Sequence, residues 1–311
     1  FHMHTVFSDG DVWPSVRVEE AWREGLDVIA ITDHIENQPS KKFVGGDHNS
    51  SYEVAAPVAA SKGIILVRGA EITRGQEGHY NAIFITDANA LDQKDFFDAV
   101  RAAASQGAFI FWNHPFALRP QDQAPWCDVQ DKLMAEQLLH GIEVFNGEEW
   151  YPQALAWAKE KGLTVLANTD IHGLVSEQYE LVQRHRPMTL VFAQDRTEQA
   201  LHNGLREGKT VAWFGEQLAG TEENLTALVR ACLEWEVTPV EDGSRYRASI
   251  RNLSDIPFVL ENPEHPGQGR VRIGPRASYS RVLKQRPSGD VLITNAIVGR
   301  GKSLLARLDS K

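Results

Sequence analysis

Several histidines in this sequence are spaced so that two side chains can bind the same metal ion. His2 and His4 are two residues apart, and strand residues at that spacing point to the same face. Asp170 and His172 repeat the spacing after an apolar run at residues 164–167. Imidazole nitrogens and carboxylate oxygens are ligands for divalent ions such as zinc, manganese and iron. Both pairs are therefore candidate metal ligands.

Five further residues of ligand type lie near the ends of apolar runs. Together with the two pairs they form a candidate set of six histidines and three acidic residues: His2, His4, Asp9, His34, Glu71, His79, His114, Asp170 and His172. One divalent ion takes about four to six ligands. Nine ligands therefore predict two or three ions, with Glu71 or Asp170 bridging two of them.

The elements that position these residues alternate between short apolar runs and helical stretches. The apolar runs predict buried strands at residues 28–32, 64–67, 82–85, 109–112, 142–145 and 164–167. The helical stretches are residues 16–24, 52–62, 95–106, 153–161 and 196–207, each followed by a glycine that can cap the helix. This repeat predicts βα units with parallel strands that close into a barrel. The carboxyl ends of those strands would bring the ligands to one face.

The pattern changes near the C-terminus, where polar and apolar residues alternate with period two. Residues 246–251, 270–273, 279–283 and 290–293 predict strands of a small antiparallel sheet or sandwich. Residues 225–236 predict a linking helix. The predicted domains are a hydrolase barrel at residues 1–222 and, at residues 223–311, the helix with a small β domain.

Composition limits the classes of partner. The 311-residue chain has a formal net charge of −10 and no dense run of Lys or Arg, so we expect no duplex nucleic acid as partner. A small anionic substrate stays open because metal ions can reverse the local field. No run of 18 apolar residues occurs, and no membrane span is expected. Cys127 and Cys232 suggest neither a disulfide framework nor a metal site.

The sequence gives little information on the N-terminus of the protein or on its cellular compartment. The sequence begins at Phe1 rather than at a methionine, so we expect further residues upstream. It does not indicate whether the protein is cytoplasmic or exported, or its oligomeric state.

The candidate ligands lie in short motifs that resemble those of the PHP (polymerase and histidinol phosphatase) family. In chain order these are residues 1–5 (FHMHT), 8–10 (SDG), 31–34 (ITDH), 69–71 (GAE), 78–79 (GH), 113–115 (NHP) and 169–172 (TDIH). The resemblance covers about residues 1–215. Where the family often has a histidine after the first His pair, this sequence has Asp9, whose charge would alter the preference of that site for a metal.

The resemblance implies a fold, a cofactor and an activity. The fold would be a distorted (β/α)7 TIM-like barrel, and the cofactor up to three divalent ions. One ion would be held by His2, His4, Glu71 and Asp170, a second by Glu71, His79 and His114, and a third by Asp9, His34 and His172. The activity would be phosphoester hydrolysis by a hydroxide shared between ions, with Glu71, Asp170 and His114 as catalytic residues.

We therefore expect a metal-dependent phosphoesterase for a small phosphorylated substrate, either a phosphomonoester or a nucleotide. Arg119 and Arg74 are candidate phosphate contacts, and Asp33, Asn113, Asn146, Glu148 and Asn168 are candidate partners for the ligands or substrate. Two alternatives stay open at this stage. The protein could hydrolyse a C–N bond, or it could bind metals without turnover and use its β domain to hold a partner.

Overall fold

The computed structural model describes residues 1–74, 78–115, 126–181, 185–240, 243–264, 269–287 and 289–308. Contacts divide the chain into two compact units, Phe1–Gly215 and Glu216–Lys311. This division lies a few residues before residue 222, the predicted end of the barrel domain. Among the described residues, no helix combines the length and the apolar character needed to cross a membrane.

The first unit alternates strands and helices. Its strands are β1 (Val28–Ile31), β2 (Ile65–Ile72), β3 (Tyr80–Ile83), β4 (Phe109–Trp112), β5 (Gly141–Asn146), β6 (Glu149–Trp150), β7 (Thr164–Asn168), β8 (Met188–Val191) and β9 (Thr210–Phe214). Its helices are α1 (Pro14–Arg23), α2 (Ser50–Lys62), α3 (Phe96–Ala104), α4 (Asp128–Ala135), α5 (Pro152–Lys161), α6 (Val175–Gln178) and α7 (Glu198–Arg206), with a 3-10 turn at Asn89–Leu91. Each strand and helix predicted for this part of the sequence overlaps one of these elements.

Most strands of this unit belong to one sheet with the order β1-β2-β3-β4-β5-β6, in which β7 also pairs with β5. Pairing is parallel between β1 and β2, β4 and β5, and β5 and β7. However, β3 is antiparallel to β2 and β4, so the prediction of parallel strands is wrong there. Residues 73–79, which connect β2 to β3, are too few for the crossover that a parallel pair requires.

The core of the first unit lies against this sheet. Every residue of β4, β5 and β7 is buried, as expected for strands that are covered on both faces. One fully buried cluster joins side chains of β1, β2, β3, β4, β7 and α7: Ala30, Val67, Ile83, Phe109, Phe111, Leu166 and Leu205. This packing fixes the strands whose ends carry the candidate ligands.

The second unit consists mainly of strands. It contains β10 (Gln217–Gly220), α8 (Glu222–Cys232), β11 (Leu233–Pro239), β12 (Tyr246–Asn252), β13 (Phe258–Glu261), β14 (Val271–Ile273), β15 (Ser278–Leu283), β16 (Asp290–Gly299) and β17 (Lys302–Arg307). Strands β11, β12 and β15 form an antiparallel sheet, and β14, β13, β16 and β17 pair side by side in another, where β10 pairs with β16 in parallel.

The predicted linking helix at residues 225–236 ends earlier than expected. Residues 233–236 belong to β11, in which Leu233 and Trp235 are buried while Glu234 and Glu236 are more exposed. This alternation has the period of a strand, and the prediction extended the helix past the point where the period changes.

Gly204, on the buried face of α7, provides a test of the packing. Alanine normally stabilises a helix interior relative to glycine by about 0.5–1 kcal/mol. Here a Cβ at position 204 would lie 2.9 Å from the Phe192 carbonyl oxygen and 2.9 Å from Val191 Cγ1. We therefore expect Gly204→Ala to lower the free energy of unfolding, measured with urea, by about 1–3 kcal/mol. The exposed neighbour Asn203→Ala should change it by less than about 0.5 kcal/mol, and stabilisation by Gly204→Ala would contradict the packing described.

Candidate metal centre

The structure brings all nine predicted ligands together in three overlapping groups. Within each group the potential ligand atoms lie within 4.8 Å of one another. The groups are His2, His4, Glu71 and Asp170; then Glu71, His79 and His114; and then His4, Asp9, His34 and His172. We call these the inner, second and outer groups. They differ from the sets implied by the family resemblance only in that His4 also reaches the outer group.

The ends of neighbouring strands bring these ligands together. The segment that carries His2 and His4 lies between the end of β1 and the residues after β7, because the Thr32 amide donates to Met3 O at 2.9 Å and the His4 amide donates to Ile171 O at 3.0 Å. His34 follows β1 and forms a parallel bridge with Glu71 of β2. His79 precedes β3 and His114 follows β4, so the reversed direction of β3 still brings both residues to the same edge.

Glu71 lies at the centre of the site and its two carboxylate oxygens face different groups. Oε2 lies 3.1 Å from His2 Nε2 and 3.2 Å from His4 Nε2. Oε1 lies 3.0 Å from His79 Nδ1 and 3.9 Å from His114 Nε2. This is the arrangement that a carboxylate needs to bridge two ions.

Asp170 also reaches two groups, but from the more open side. Its Oδ1 lies 3.1 Å from His2 Nε2 and 2.9 Å from His4 Nε2, while its Oδ2 lies 3.6 Å from His114 Nε2. The Asp170 side chain is 23% exposed, whereas that of Glu71 is 1% exposed. Asp170 is therefore the carboxylate of the inner group that a substrate can approach.

The outer group is assembled around Asp9. Its Oδ1 lies 3.2 Å from His172 Nε2, and its Oδ2 lies 3.5 Å from His34 Nε2. The His4 ring faces this group through Nδ1, at 3.8 Å from Asp9 Oδ1, and the inner group through Nε2. A neutral imidazole has one free lone pair, so His4 can serve only one group at a time, and its shorter contacts favour the inner group.

Unpaired buried atoms in the cluster fit a bound cation. Glu71 Oε1 and His79 Nδ1 are buried and make no hydrogen bond to any described residue, although they lie 3.0 Å apart. Asp9 Oδ1 and His34 Nδ1 are also buried and make no hydrogen bond to any described residue. Buried polar atoms are normally satisfied. A bound cation would satisfy them, and the donor set of imidazoles and carboxylates suits divalent zinc, manganese or iron.

The pKa shifts within the cluster follow from burial and from the proximity of opposite charges. Burial alone raises the pKa of the Glu71 carboxyl, but His2, His4 and His79 outweigh it and hold that pKa well below its usual range. Burial lowers the pKa of His4, yet hydrogen bonds to Asp170 and Glu71 reverse the effect and raise it to about 9. Burial prevails at His34 and lowers its pKa to about 4. The carboxylates are therefore ionised and His34 is neutral near pH 7, as metal ligation requires, whereas His4 has to lose a proton when it binds an ion.

The turn that carries Asp9 is held by Asp33, one of the predicted supporting residues. Asp33 Oδ1 accepts hydrogen bonds from the Thr5 amide and from Ser8 Oγ, each at 2.7 Å, and Oδ2 accepts one from Thr5 Oγ1 at 2.7 Å. A Cβ at Gly10 would lie 2.7 Å from the His4 carbonyl carbon, so only glycine fits in this turn. Asp33 and Gly10 together place Asp9 beside the histidines.

Arg17, a fully buried residue of α1, was not among the residues predicted from the sequence. Its guanidinium donates to the carbonyl oxygens of His4 at 2.9 Å and Ile171 at 3.1 Å, and to those of His172 and Gly173 at 2.7 Å each. One side chain thus joins the two backbone segments that carry four of the ligands. The available signal was a charged residue on the apolar face of α1, beside the buried Val18 and Ala21.

Glu143, which is fully buried in the middle of β5, was not predicted from the sequence either. Its carboxylate contacts His2 and accepts hydrogen bonds from Asn146 and Asn168, two of the predicted supporting residues. Asn113, another of them, accepts a bond from the Asn81 amide at 3.2 Å, and Glu148 lies exposed after β5. The signal for Glu143 was an acidic residue inside an otherwise apolar strand.

Of the two predicted substrate contacts, only Arg74 is among the described residues, and it lies outside the three ligand groups. Arg74 lies between two acidic residues, with Nε 3.1 Å from Glu36 Oε1 and Nη2 2.9 Å from Asp92 Oδ1. Its cation is therefore already paired. Arg119 lies outside the described residues. Both stay predictions as phosphate contacts.

Similarity to known structures supports the family prediction. A crystal structure from Bacteroides vulgatus ATCC 8482, described as a two-domain protein containing a predicted PHP-like metal-dependent phosphoesterase, is 40% identical with a TM-score of 0.92. The match covers 98% of this chain and 92% of that chain. This chain therefore belongs to the PHP-like family of two-domain proteins, and the family prediction is confirmed.

Two more distant structures also match. An amidohydrolase from Chromobacterium violaceum is 16% identical with a TM-score of 0.41, and the match covers 55% of this chain and 86% of that chain. A lesion-specific endonuclease from Pyrococcus furiosus is 13% identical with a TM-score of 0.46, at 71% and 58% coverage. A scan of family models and a search of curated proteins find no match to this sequence.

The hydrogen bonds of Arg17 lead to a stability prediction. In Arg17→Lys one ammonium group cannot reach all four carbonyl oxygens, and an unsatisfied buried polar group costs about 1–3 kcal/mol. We expect a loss of at least that size in the free energy of unfolding of the metal-free protein, measured with urea. Arg23→Lys, an exposed change in the same helix, is the control and should have little effect. Equal stability of the two variants would show that Arg17 does not hold the two segments.

Proposed function

We propose that this protein is a metal-dependent phosphoesterase that hydrolyses a small phosphomonoester or a nucleotide. The observation that carries the proposal is Glu71, a buried carboxylate whose two oxygens face two separate groups of histidines. The family assignment supports it, since the B. vulgatus relative is described as a metal-dependent phosphoesterase. We further propose that the first unit is the distorted (β/α)7 barrel of that family and that the second is a small β domain.

The proposed cofactor is two or three divalent ions, which the nine ligands would hold in the three groups described above. Zinc, manganese and iron all suit the donor set. When bound, such ions would polarise phosphate oxygens and lower the pKa of a water molecule, the two requirements of phosphoester hydrolysis at neutral pH.

The exposure of the ligands indicates the side from which substrate enters. The side chains of His2, His4 and Glu71 are almost completely buried, whereas Asp9 is 25% and His172 39% exposed. Asp170 lies on the same open side. His79 of the second group is 28% exposed as well. A phosphate group would therefore approach past Asp9, His79 and His172 and reach Asp170 before Glu71.

The ligand carboxylates also make substrate binding depend on metal. Asp9, Glu71 and Asp170 place three negative charges at the position where an anionic phosphate would bind. The raised pKa values of His2 and His4 offset these charges only in part, and His34 stays neutral near pH 7. Like charges at this distance in a partly buried site repel strongly. The metal-free protein should therefore bind phosphate esters poorly, even though the site is already shaped.

We assign the three catalytic residues from their positions. Glu71 keeps the inner and second groups in a fixed relation to each other. Asp170 Oδ2, on the open side, is placed to accept a proton from an attacking water molecule. His114 Nε2 lies 3.6 Å from that oxygen, so it would contact the same part of a bound substrate.

The central test combines metal content with a substrate screen. The purified protein should contain two or three divalent ions per chain by elemental analysis, and hydrolysis of phosphate esters should stop when a chelator removes them. Phosphomonoesters, nucleotides and amides should be assayed separately with zinc, manganese and iron. One ion or fewer under metal-replete conditions would contradict the multi-ion site. Cleavage of amides alone would identify a C–N hydrolase, and metal binding without any turnover would identify a binding protein.

A second test concerns the bridging carboxylate. Glu71→Gln keeps the shape of the side chain but removes its charge and replaces one ligand oxygen with an amide nitrogen. We expect at least about a 100-fold loss of metal affinity, together with a similar loss in kcat/KM. Glu136→Gln is the control, because Glu136 is an exposed carboxylate paired with Arg101. Full metal content in Glu71→Gln would show that Glu71 does not bridge.

A further inference from the structure

We propose that Glu143 is a positioning residue that holds His2 and His114 in the geometry for binding two neighbouring metal ions. No role for this residue follows from the family motifs or from the ligand groups. The inference rests on the metal-binding part of the proposed function and does not depend on which bond the protein hydrolyses.

Glu143 is saturated with hydrogen-bond donors although it is completely buried. Its Oε1 lies 2.8 Å from His2 Nδ1 and accepts from Asn168 Nδ2 at 2.9 Å. Its Oε2 accepts from the His114 amide at 2.7 Å and from Asn146 Nδ2 at 2.7 Å. Each oxygen therefore has two donors, which offset the cost of burying the charge.

The contact with His2 determines which ring nitrogen is free to bind a metal. His2 Nδ1 faces Glu143, whereas its Nε2 faces Glu71 Oε2 and Asp170 Oδ1 at 3.1 Å each. An ion bound at Nε2 would leave the ring proton on Nδ1, where Glu143 Oε1 is placed to accept it. Nε2, which points into the inner group, is then the ligand atom. Histidine ligands usually donate their second nitrogen to such a partner, which fixes the orientation of the ring.

The contact with His114 acts on the backbone. His114 has a φ of 23°, in the left-handed region that side chains other than glycine rarely adopt. Such a conformation costs about 1–3 kcal/mol and persists where the surroundings impose it. The short bond from the His114 amide to Glu143 Oε2 is such a constraint. It keeps His114 Nε2 directed towards Asp170 and Glu71, at 3.6 Å and 3.9 Å.

One carboxylate thus holds a ligand of the inner group and a ligand of the second group. Those are the two groups that the two oxygens of Glu71 face. Movement of Glu143 would displace both ligands together. We therefore expect the loss of Glu143 to lower the affinity for two ions rather than for one.

The structure also explains why glutamine cannot replace glutamate here. All four contacting groups are donors in this arrangement, and a glutamine offers one acceptor oxygen and one donor nitrogen. The amide nitrogen of a glutamine at position 143 would face two donors in either orientation. Glu143→Gln is therefore close in shape to the native residue but mismatched in hydrogen bonding.

The test compares Glu143→Gln with Glu261→Gln in the full chain. Glu261 is a buried carboxylate of the second unit that pairs with Arg270, so it controls for the general cost of removing a buried charge. Zinc affinity is measured by competition with a chelator. The absorption spectrum of the cobalt-substituted protein reports ligand geometry, and thermal unfolding of the metal-free protein checks folding. We expect about 10- to 100-fold weaker binding of two ions and an altered cobalt spectrum in Glu143→Gln only.

Native zinc affinity and an unchanged cobalt spectrum in folded Glu143→Gln would overturn the proposal. If that variant does not fold, nitrogen NMR of the zinc-loaded wild-type protein decides instead. The proposal requires a proton on His2 Nδ1 and zinc on Nε2, and the reverse arrangement would refute it. A wild-type protein that binds no zinc would overturn this proposal and the proposed function together. Zinc binding without phosphoester hydrolysis, with the expected loss in Glu143→Gln, would support this proposal and contradict only the proposed substrate.

Discussion

A fully buried carboxylate needs compensation, and the compensation of Glu71 organises the centre of this protein. Burying an isolated charge is costly, and proteins usually pair such a group with Lys or Arg. Among the described residues, the ion-pair partners of Glu71 are all histidines, which are charged only when protonated. The charge of Glu71 is therefore compensated only when these histidines are protonated or when metal ions bind.

The scaffold holds the ligands in place with strained backbone and buried polar groups next to the site. His114 and Asp170 both have positive φ angles, at the points where the chain leaves β4 and β7. Arg17 and Glu143, both fully buried, bind the backbone or side chains of ligands on either side of these points. Ligands on a strained backbone need such additional hydrogen bonds, because a relaxed backbone would carry their side chains away from the common centre.

The sequence was most informative where function and local pattern coincide. The spacing of His2 and His4, the apolar runs and the order of the short motifs predicted the strands, the candidate ligands and the family. The direction of β3 was not predictable in this way, because its pairing with β2 and β4 depends on the short connection at residues 73–79 and not on the composition of β3 itself. Arg17 and Glu143 were missed for a related reason. Their partners lie far away in sequence, so a charged residue in an apolar helix or strand signals an unusual role without showing which groups it contacts.

Two histidines of the outer group, His4 and His34, show why protons alone satisfy this cluster poorly. His4 lies against two carboxylates, and its pKa of about 9 keeps it protonated in the metal-free protein at neutral pH. The ring of His34 is stacked on that of His4 at 4.5 Å, and its pKa of about 4 leaves it neutral. Burial is the main cause of the low pKa of His34, and the charge on His4 lowers it further. Asp9 beside them stays ionised. Each divalent cation delivers two charges at one point, and the rings can offer their lone pairs to the ions of their own groups. The charge distribution of the cluster therefore favours metal ions over protons.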